Sequence, residues 1–302
     1  MLKRAAALVV GLFVLASAAV HAAEEQPRQM TAAEFEASLK YQTGEIKLPG
    51  GVATLKVPET FRYLGPKDSE RVLVSAWGNP KGAGTLGMLF PADMSPIAKD
   101  SWGVVITYEE DGYVSDKDAD SINYDDLMKN MKEGIEESNK ERQKEGYQAI
   151  ELVGWGAKPY YDKDTHKLYW AKELAFGGEE GHTLNYNIRI LGRKGVLVLN
   201  AVSGMGQLDT VKKEMQQVLA FSDFNAGYRY AEYDPKSDKT AAYGIAALVA
   251  GGVAAKAGLF TKLFALLLAA KKLVLVAIVA IGAFLSRLFK KLKEKTNVTE
   301  GK

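Results

Sequence analysis

Cysteine is absent from the 302 residues. This excludes disulfides, thiolate metal sites and cysteine nucleophiles together. Histidine is almost as scarce, with His21, His166 and His182 the three in the chain. There is no internal repeat of fixed period and no long low-complexity stretch. The net charge is +2, but it is unevenly spread: residues 1–23 carry +2, residues 24–240 carry −8, and residues 241–302 carry +8, from ten basic and two acidic side chains. An acidic central region offers no basic face for a phosphate backbone, so nucleic acid is excluded as a partner.

Both ends read as membrane-directed. Residues 1–22 have the pattern of a secretory signal peptide: Lys3 and Arg4, an uncharged run from Ala5 to Ala18, then small residues at Val20 and Ala22 before the chain turns polar at Glu24. With no cysteine, a lipid anchor at that point is excluded. The expected exported domain spans 23–227, followed by a polar linker over 228–240 and a membrane region over 241–289 whose main span is about 263–289. Residues 273–285 are charge-free, and extension to Phe289 gives 17 residues, about 26 Å of helix against a hydrocarbon core of about 30 Å. Arg287, Lys290, Lys291, Lys293 and Lys295 border the far side, which places the tail 290–302 in the cytoplasm. The predicted location is the cytoplasmic (inner) membrane with the main domain periplasmic. Ala247, Gly251 and Ala255 recur every fourth residue, a spacing that lets helices approach closely in lipid, so self-association there is expected. That stretch is compatible with one crossing or two, and the charge rule favours one.

The central region is expected to be α+β, an antiparallel meander sheet with packed helices. Thr31 and Glu34 form a capping box. Asn123 to Lys144 carries an apolar stripe of Leu127, Met128, Met131 and Ile135. Five strand-like runs come next, at 149–153, 160–162, 167–174, 183–191 and 196–203, with short loops that only antiparallel neighbours allow. A last amphipathic helix carries Leu208, Val211, Met215, Val218 and Leu219.

Motifs for chemistry are incomplete. Gly82, Gly84 and Gly87 match a dinucleotide fingerprint, but Pro80 precedes them and Pro91 stops the short strand-like run after them, so a turn is the better reading. Asp116, Asp118 and Asp120 occupy the first EF-hand positions, yet Ser121 and Leu127 stand where Gly and Glu are needed. Ser203 lacks a nucleophile elbow. No metal site and no cofactor is predicted. His166 with nearby acids gives an alternative reading, an envelope hydrolase or metal-dependent enzyme; a zinc site would join His166 and His182 with Asp162, Asp164 or Glu180. The dense aromatic stretch nominates Trp155, Tyr161, Asp162, His166, Tyr169 and Trp170 as a binding surface.

Residues 146–155 (GYQAIELVGW), Tyr161 and Asp162, residues 165–174 (THKLYWAKEL) and residues 108–113 (YEEDGY) together resemble a bacterial family of uncharacterised membrane-anchored proteins carrying a domain of unknown function. So does the apolar, lysine-spaced C-terminal run. The resemblance implies an exported domain held at the membrane, and it carries over no catalytic or ligand residue. The expected function is a non-enzymatic binding or accessory module, with the lipid bilayer and an envelope protein or a second copy as partners.

Overall fold

The computed structural model describes residues 30–178 and 180–250. The expected signal peptide, the main apolar span 263–289 and the basic tail therefore lie outside the described residues. The described residues form thirteen strands and five α-helices. After α1 (Ala32–Ala37) come β1 (Tyr41–Gln42), β2 (Gly44–Lys47), β3 (Ala53–Val57), β4 (Phe61–Leu64), α2 (Pro66–Arg71), β5 (Gly87–Pro91), β6 (Gly103–Glu109) and β7 (Tyr113–Ser115). Then come α3 (Tyr124–Lys144), β8 (Ile150–Asp162), β9 (Lys167–Phe176), β10 (Thr183–Leu191), β11 (Val196–Gly204), α4 (Leu208–Ala220), β12 (Ser222–Phe224), β13 (Thr240–Gly244) and α5 (Ile245–Ala250).

The fold is α+β. Its centre is an antiparallel eight-stranded sheet in the order β1-β4-β5-β6-β11-β10-β9-β8. β8 to β11 form the meander expected from their short loops. The hairpin between β10 and β11 closes Leu191 on Val196, with the Gly192 amide donating to the Gly195 carbonyl at 2.8 Å. A Cβ on Gly195 would sit 2.2 Å from the Glu109 carbonyl oxygen, so this turn needs glycine. Two expected strands, 149–153 and 160–162, are one strand, β8. Its register shifts three times between Leu152 and Tyr160, and Gly154, Gly156 and Pro159 give it the look of a broken run in sequence. Bulges and a proline suit an edge strand, because they blunt pairing with another chain.

Strand alternation divides the sheet into two covered faces. On one, Leu184, Tyr186, Ile188 and Ile190 of β10, with Leu197, Leu199 and Ala201 of β11 and Val104 and Ile106 of β6, pack under the small sheet β12-β3-β2 and helix α4. On the other, α3 and α5 cover Leu152, Leu168, Trp170, Val196 and Val198. Helix α2 and the wide helical turn after it cover Leu64, Met88 and Phe90 at the far end.

The helices form for local reasons. In α1 the Glu34 amide donates to Thr31 Oγ1 at 3.3 Å, and the Thr31 amide donates to Glu34 Oε2 at 2.8 Å. In α3 the Asn123 side chain accepts from the Asp125 and Asp126 amides; Asp125 and Asp126 lie in its first turn and Arg142 and Lys144 in its last, each suited to the helix dipole. The stripe expected on α3 packs where predicted, with Met131 buried and Leu127, Met128 and Ile135 against the same cluster.

Residues 228–250 correct the expected boundaries. The stretch expected as a linker is bound to the domain: Tyr230 packs in the core under α3, its hydroxyl donating to the Val114 carbonyl at 3.0 Å, and Arg193 clasps Asp238 at 2.7 Å. Thr240, expected to end the linker, and residues 241–244, expected at the start of the membrane region, form β13 and pair in parallel with β7. Ile245, Leu248 and Val249 of α5 are buried. Aromatic rings and aspartates, polar by composition, make these contacts. Among the described residues, no helix is long and apolar enough to cross a membrane.

Candidate functional site

The turn from β8 to β9 gathers several of the nominated residues. His166 ends this turn with φ at 51°, a left-handed conformation that histidine adopts more readily than most residues. Its ring lies on Tyr230 with centroids 4.1 Å apart, and Tyr230 stacks on Tyr113, which stacks on Tyr233 at 3.8 Å. Tyr161 donates its hydroxyl proton to Asp116 at 2.8 Å, and His166 Nδ1 approaches the same hydroxyl oxygen at 3.2 Å. Burial, and then the Asp116 carboxylate that accepts its proton, hold the Tyr161 phenol well above its ordinary range. The arrangement is a clasp fixing residues 228–240 to the sheet.

Other candidates are likewise absorbed. Asp116 serves Tyr161, Asp118 accepts from the Ile245 and Ala246 amides at 3.0 and 3.3 Å, and Asp120 pairs with Lys163. The three carboxylates therefore point to three separate elements instead of one cation. Among the described residues no group of three or more His, Asp or Glu could hold a metal ion. His182 pairs with Glu173 at 2.5 Å. It precedes β10, whereas His166 precedes β9, so the two sit at opposite ends of the β9–β10 pair. Lys167 lies opposite Ile190 and Leu174 opposite Thr183, a separation of roughly 23 Å at 3.3 Å per residue. A site using both histidines does not form. Asp162 is half-buried and fastens the turn, accepting from the Thr165 hydroxyl at 2.7 Å, the main reason its carboxyl is held below the usual range. The glycine fingerprint leads into β5, not a helix, and the Gly82 amide donates to Glu70 at 2.7 Å. Ser203 is buried in β11.

The nominated aromatics divide between the two faces. Trp155, Tyr161 and Trp170 belong to the face under α3, and Tyr169 packs toward the opposite core while stacking on the exposed Tyr160 at 6.3 Å.

A second constellation carries no signal in the sequence. On the face under α3 and α5, cross-strand rows carry polar side chains inward. Trp155 of β8 lies beside Lys172 of β9, and Lys172 beside Asn185 of β10. The next row runs from Trp170 through Asn187 and Asn200 to Val105 and Met88, leaving one apolar cluster and entering the other. Arg189 stands one row further, its guanidinium 5.1 Å from the Trp170 ring centre, 3.4 Å from Asn187 Oδ1 and 4.0 Å from Glu109. Burial lowers Lys172 to about 8, and the Arg189 charge adds to the effect. Burial likewise lowers Arg189 to about 10, against the opposing pull of Glu109. Arg189 Nε and the indole nitrogens of Trp155 and Trp170 are buried without a partner among the described residues, as are Asn200 Oδ1 and Glu109 Oε2. Strand β10 alternates apolar residues with Asn185, Asn187 and Arg189, a pattern that normally marks a solvated face. Only the sheet order shows that this face is flanked by helices.

A separate open pocket of about 400 Å³ lies between Glu110, Gly112 and Lys194 on one side and Ser237, Asp238 and Lys239 on the other.

No curated protein matches the chain. Among solved structures, the cyanobacterial PsbP protein (CyanoP) of Synechocystis sp. PCC 6803 is similar at 11% identity, covering 63% of this chain and 94% of its own, with a TM-score of 0.34. The Ran-binding protein Mog1p of Saccharomyces cerevisiae is similar at 12% identity, covering 62% and 96%, with a TM-score of 0.30. Residues 40–282 match the family described as a protein of unknown function, DUF2167, and the chain belongs to that family.

Proposed function

We propose that this protein is a non-catalytic binding module, held at the cytoplasmic membrane by its C-terminal apolar segment, with the folded domain on the periplasmic side. The binding role rests on one observation: buried donors of Trp155, Trp170 and Arg189 on one sheet face have no partner among the described residues. Groups suited to acid–base work are instead engaged internally, Asp116 with Tyr161 and His182 with Glu173. The membrane attachment rests on the charge-free residues 273–285 and the basic cluster after them. The partner on the periplasmic side is an envelope component or a second copy of the chain.

Fractionation of cells tests the attachment. The intact chain is expected in the membrane fraction after an alkaline wash, and recovery of the intact chain in the soluble fraction overturns it.

A further inference from the structure

We propose that the open cleft between the tip of the β10–β11 hairpin and residues 237–239 binds a small ligand carrying two carboxylates and one ammonium group, an acidic amino acid. The cleft shares no residue with the buried donors of Trp155, Trp170 and Arg189. The inference therefore goes beyond the binding role proposed above and stands or falls separately from it.

The cleft has room for such a ligand. Its volume is about 400 Å³, within the roughly 300–1,000 Å³ of small-molecule sites. Three separate segments meet around it: Glu110 and Gly112 come from the turn after β6, Lys194 from the hairpin tip, and Ser237, Asp238 and Lys239 from the stretch before β13. Backbone hydrogen bonds lace these segments together. The Gly112 amide donates to the Lys194 carbonyl at 3.1 Å, and the Tyr113 amide donates to the Lys239 carbonyl at 2.8 Å. Gly112 holds φ at 106°, and a Cβ there would sit 2.5 Å from the Lys239 carbonyl oxygen, so the close approach of the two walls needs glycine. The walls are fixed at the backbone while their charged side chains stay in solvent.

The lining groups differ in what they already hold. Asp238 is engaged: Arg193 donates to both its oxygens, at 2.7 and 3.0 Å, and the Asp234 amide donates to Oδ2 at 2.7 Å. The Ser237 hydroxyl donates to Asp234 at 3.1 Å. The side chains of Glu110, Lys194 and Lys239 make no hydrogen bond or ion pair among the described residues, and Lys194 only stands over the Tyr228 ring at 4.9 Å. All three are exposed, so a ligand in the cleft can meet them. Two ammonium groups and one carboxylate are thus left to recognise it, with one positive charge in excess. A simple anion would meet Glu110 as a like charge, and a cation would meet two lysines. A ligand with two carboxylates and one ammonium group is complementary to all three. Exposed ion pairs are individually weak, so the expected affinity is about millimolar.

The test is an NMR titration of the 15N-labelled full-length chain at constant ionic strength with L-glutamate, L-aspartate and, separately, succinate, which has the two carboxylates without the ammonium group. The expected result is a saturable shift of the Gly112 and Tyr113 amide signals, with at least one of the amino acids bound roughly 2- to 5-fold more tightly than succinate. Glu110→Gln is expected to remove that preference, and Lys194→Met combined with Lys239→Met to weaken amino-acid binding roughly 5- to 20-fold. Because these side chains are exposed, unchanged thermal melting is expected to show that the variants keep the fold. Amide signals that ignore all three ligands up to roughly 50 mM, far above a millimolar Kd, overturn the proposal without any variant. So does succinate bound as tightly as both amino acids, a preference that survives Glu110→Gln, or an affinity unchanged in the double lysine variant. None of these results touches the membrane attachment, which fractionation decides independently.

Discussion

Lys172 shows how a residue's surroundings, not its type, set its behaviour. On a solvated strand it would be neutral to stability. Here its folded-state pKa is lowered from 10.5 to about 8 by burial and by Arg189. Because the folded state resists protonation more than the unfolded chain does, the charged form costs stability at every pH below about 8. The cost fades between about 8 and 10.5, where the folded domain releases its proton first. Lys172→Met is therefore expected to stabilise the domain by about 1–3 kcal/mol at pH 7, with the gain shrinking at pH 10. Urea unfolding at the two pH values checks it, and a gain equal at both would contradict the cause given. At the clasp, Tyr161→Phe removes the bond to Asp116 and leaves that half-buried carboxylate with one partner fewer. A loss of about 1–2 kcal/mol is expected in thermal melting. Tyr161 and His166 are legible as candidates because rare and aromatic residues stand out. Lys172 and Arg189 are not, since a lysine or an arginine in a strand carries no mark of the helix that will flank it.

At the scale of elements, capping and periodicity are the readable signals. Asn123, the apolar stripe and Gly146 define α3 to within a residue, because each acts within one or two turns of its own position. Asn123→Ala is expected to cost about 1 kcal/mol, measured as a lower midpoint of unfolding. Helix α5 reads in sequence as the beginning of a membrane region, because Ile245, Leu248 and Val249 look alike in lipid and in a protein core. What decides is tertiary: Asp118 caps the helix from 127 residues away in sequence, and Val114, Trp170 and Val196 belong to the same cluster. Leu248→Ala is expected to cost about 2–4 kcal/mol of domain stability. Were 241–250 membrane-embedded, the same change would leave the domain's melting untouched. Strand β8 escapes recognition as one unit for the opposite reason, since its bulges break the alternation on which strand recognition depends.

At the scale of the molecule, the α+β class comes from periodicity and the meander from loop lengths, whereas the full strand order comes from neither. The pairing of β6 with β11 joins residues about 90 positions apart in sequence, and no local pattern announces such a contact. The same holds for Lys172, Asn187, Arg189 and Asn200, polar residues that β9, β10 and β11 bring together on one sheet face between two apolar clusters. The acidic domain and the basic C-terminal region divide the chain by charge, and the account assigns them to opposite sides of one bilayer. The most direct measurement of that arrangement fuses a reporter pair after Lys302, one reporter active only in the cytoplasm and one only outside it. The account predicts signal from the cytoplasmic reporter alone, with the folded domain cut by protease added to cells whose outer layers are opened. Signal from the external reporter alone would contradict it.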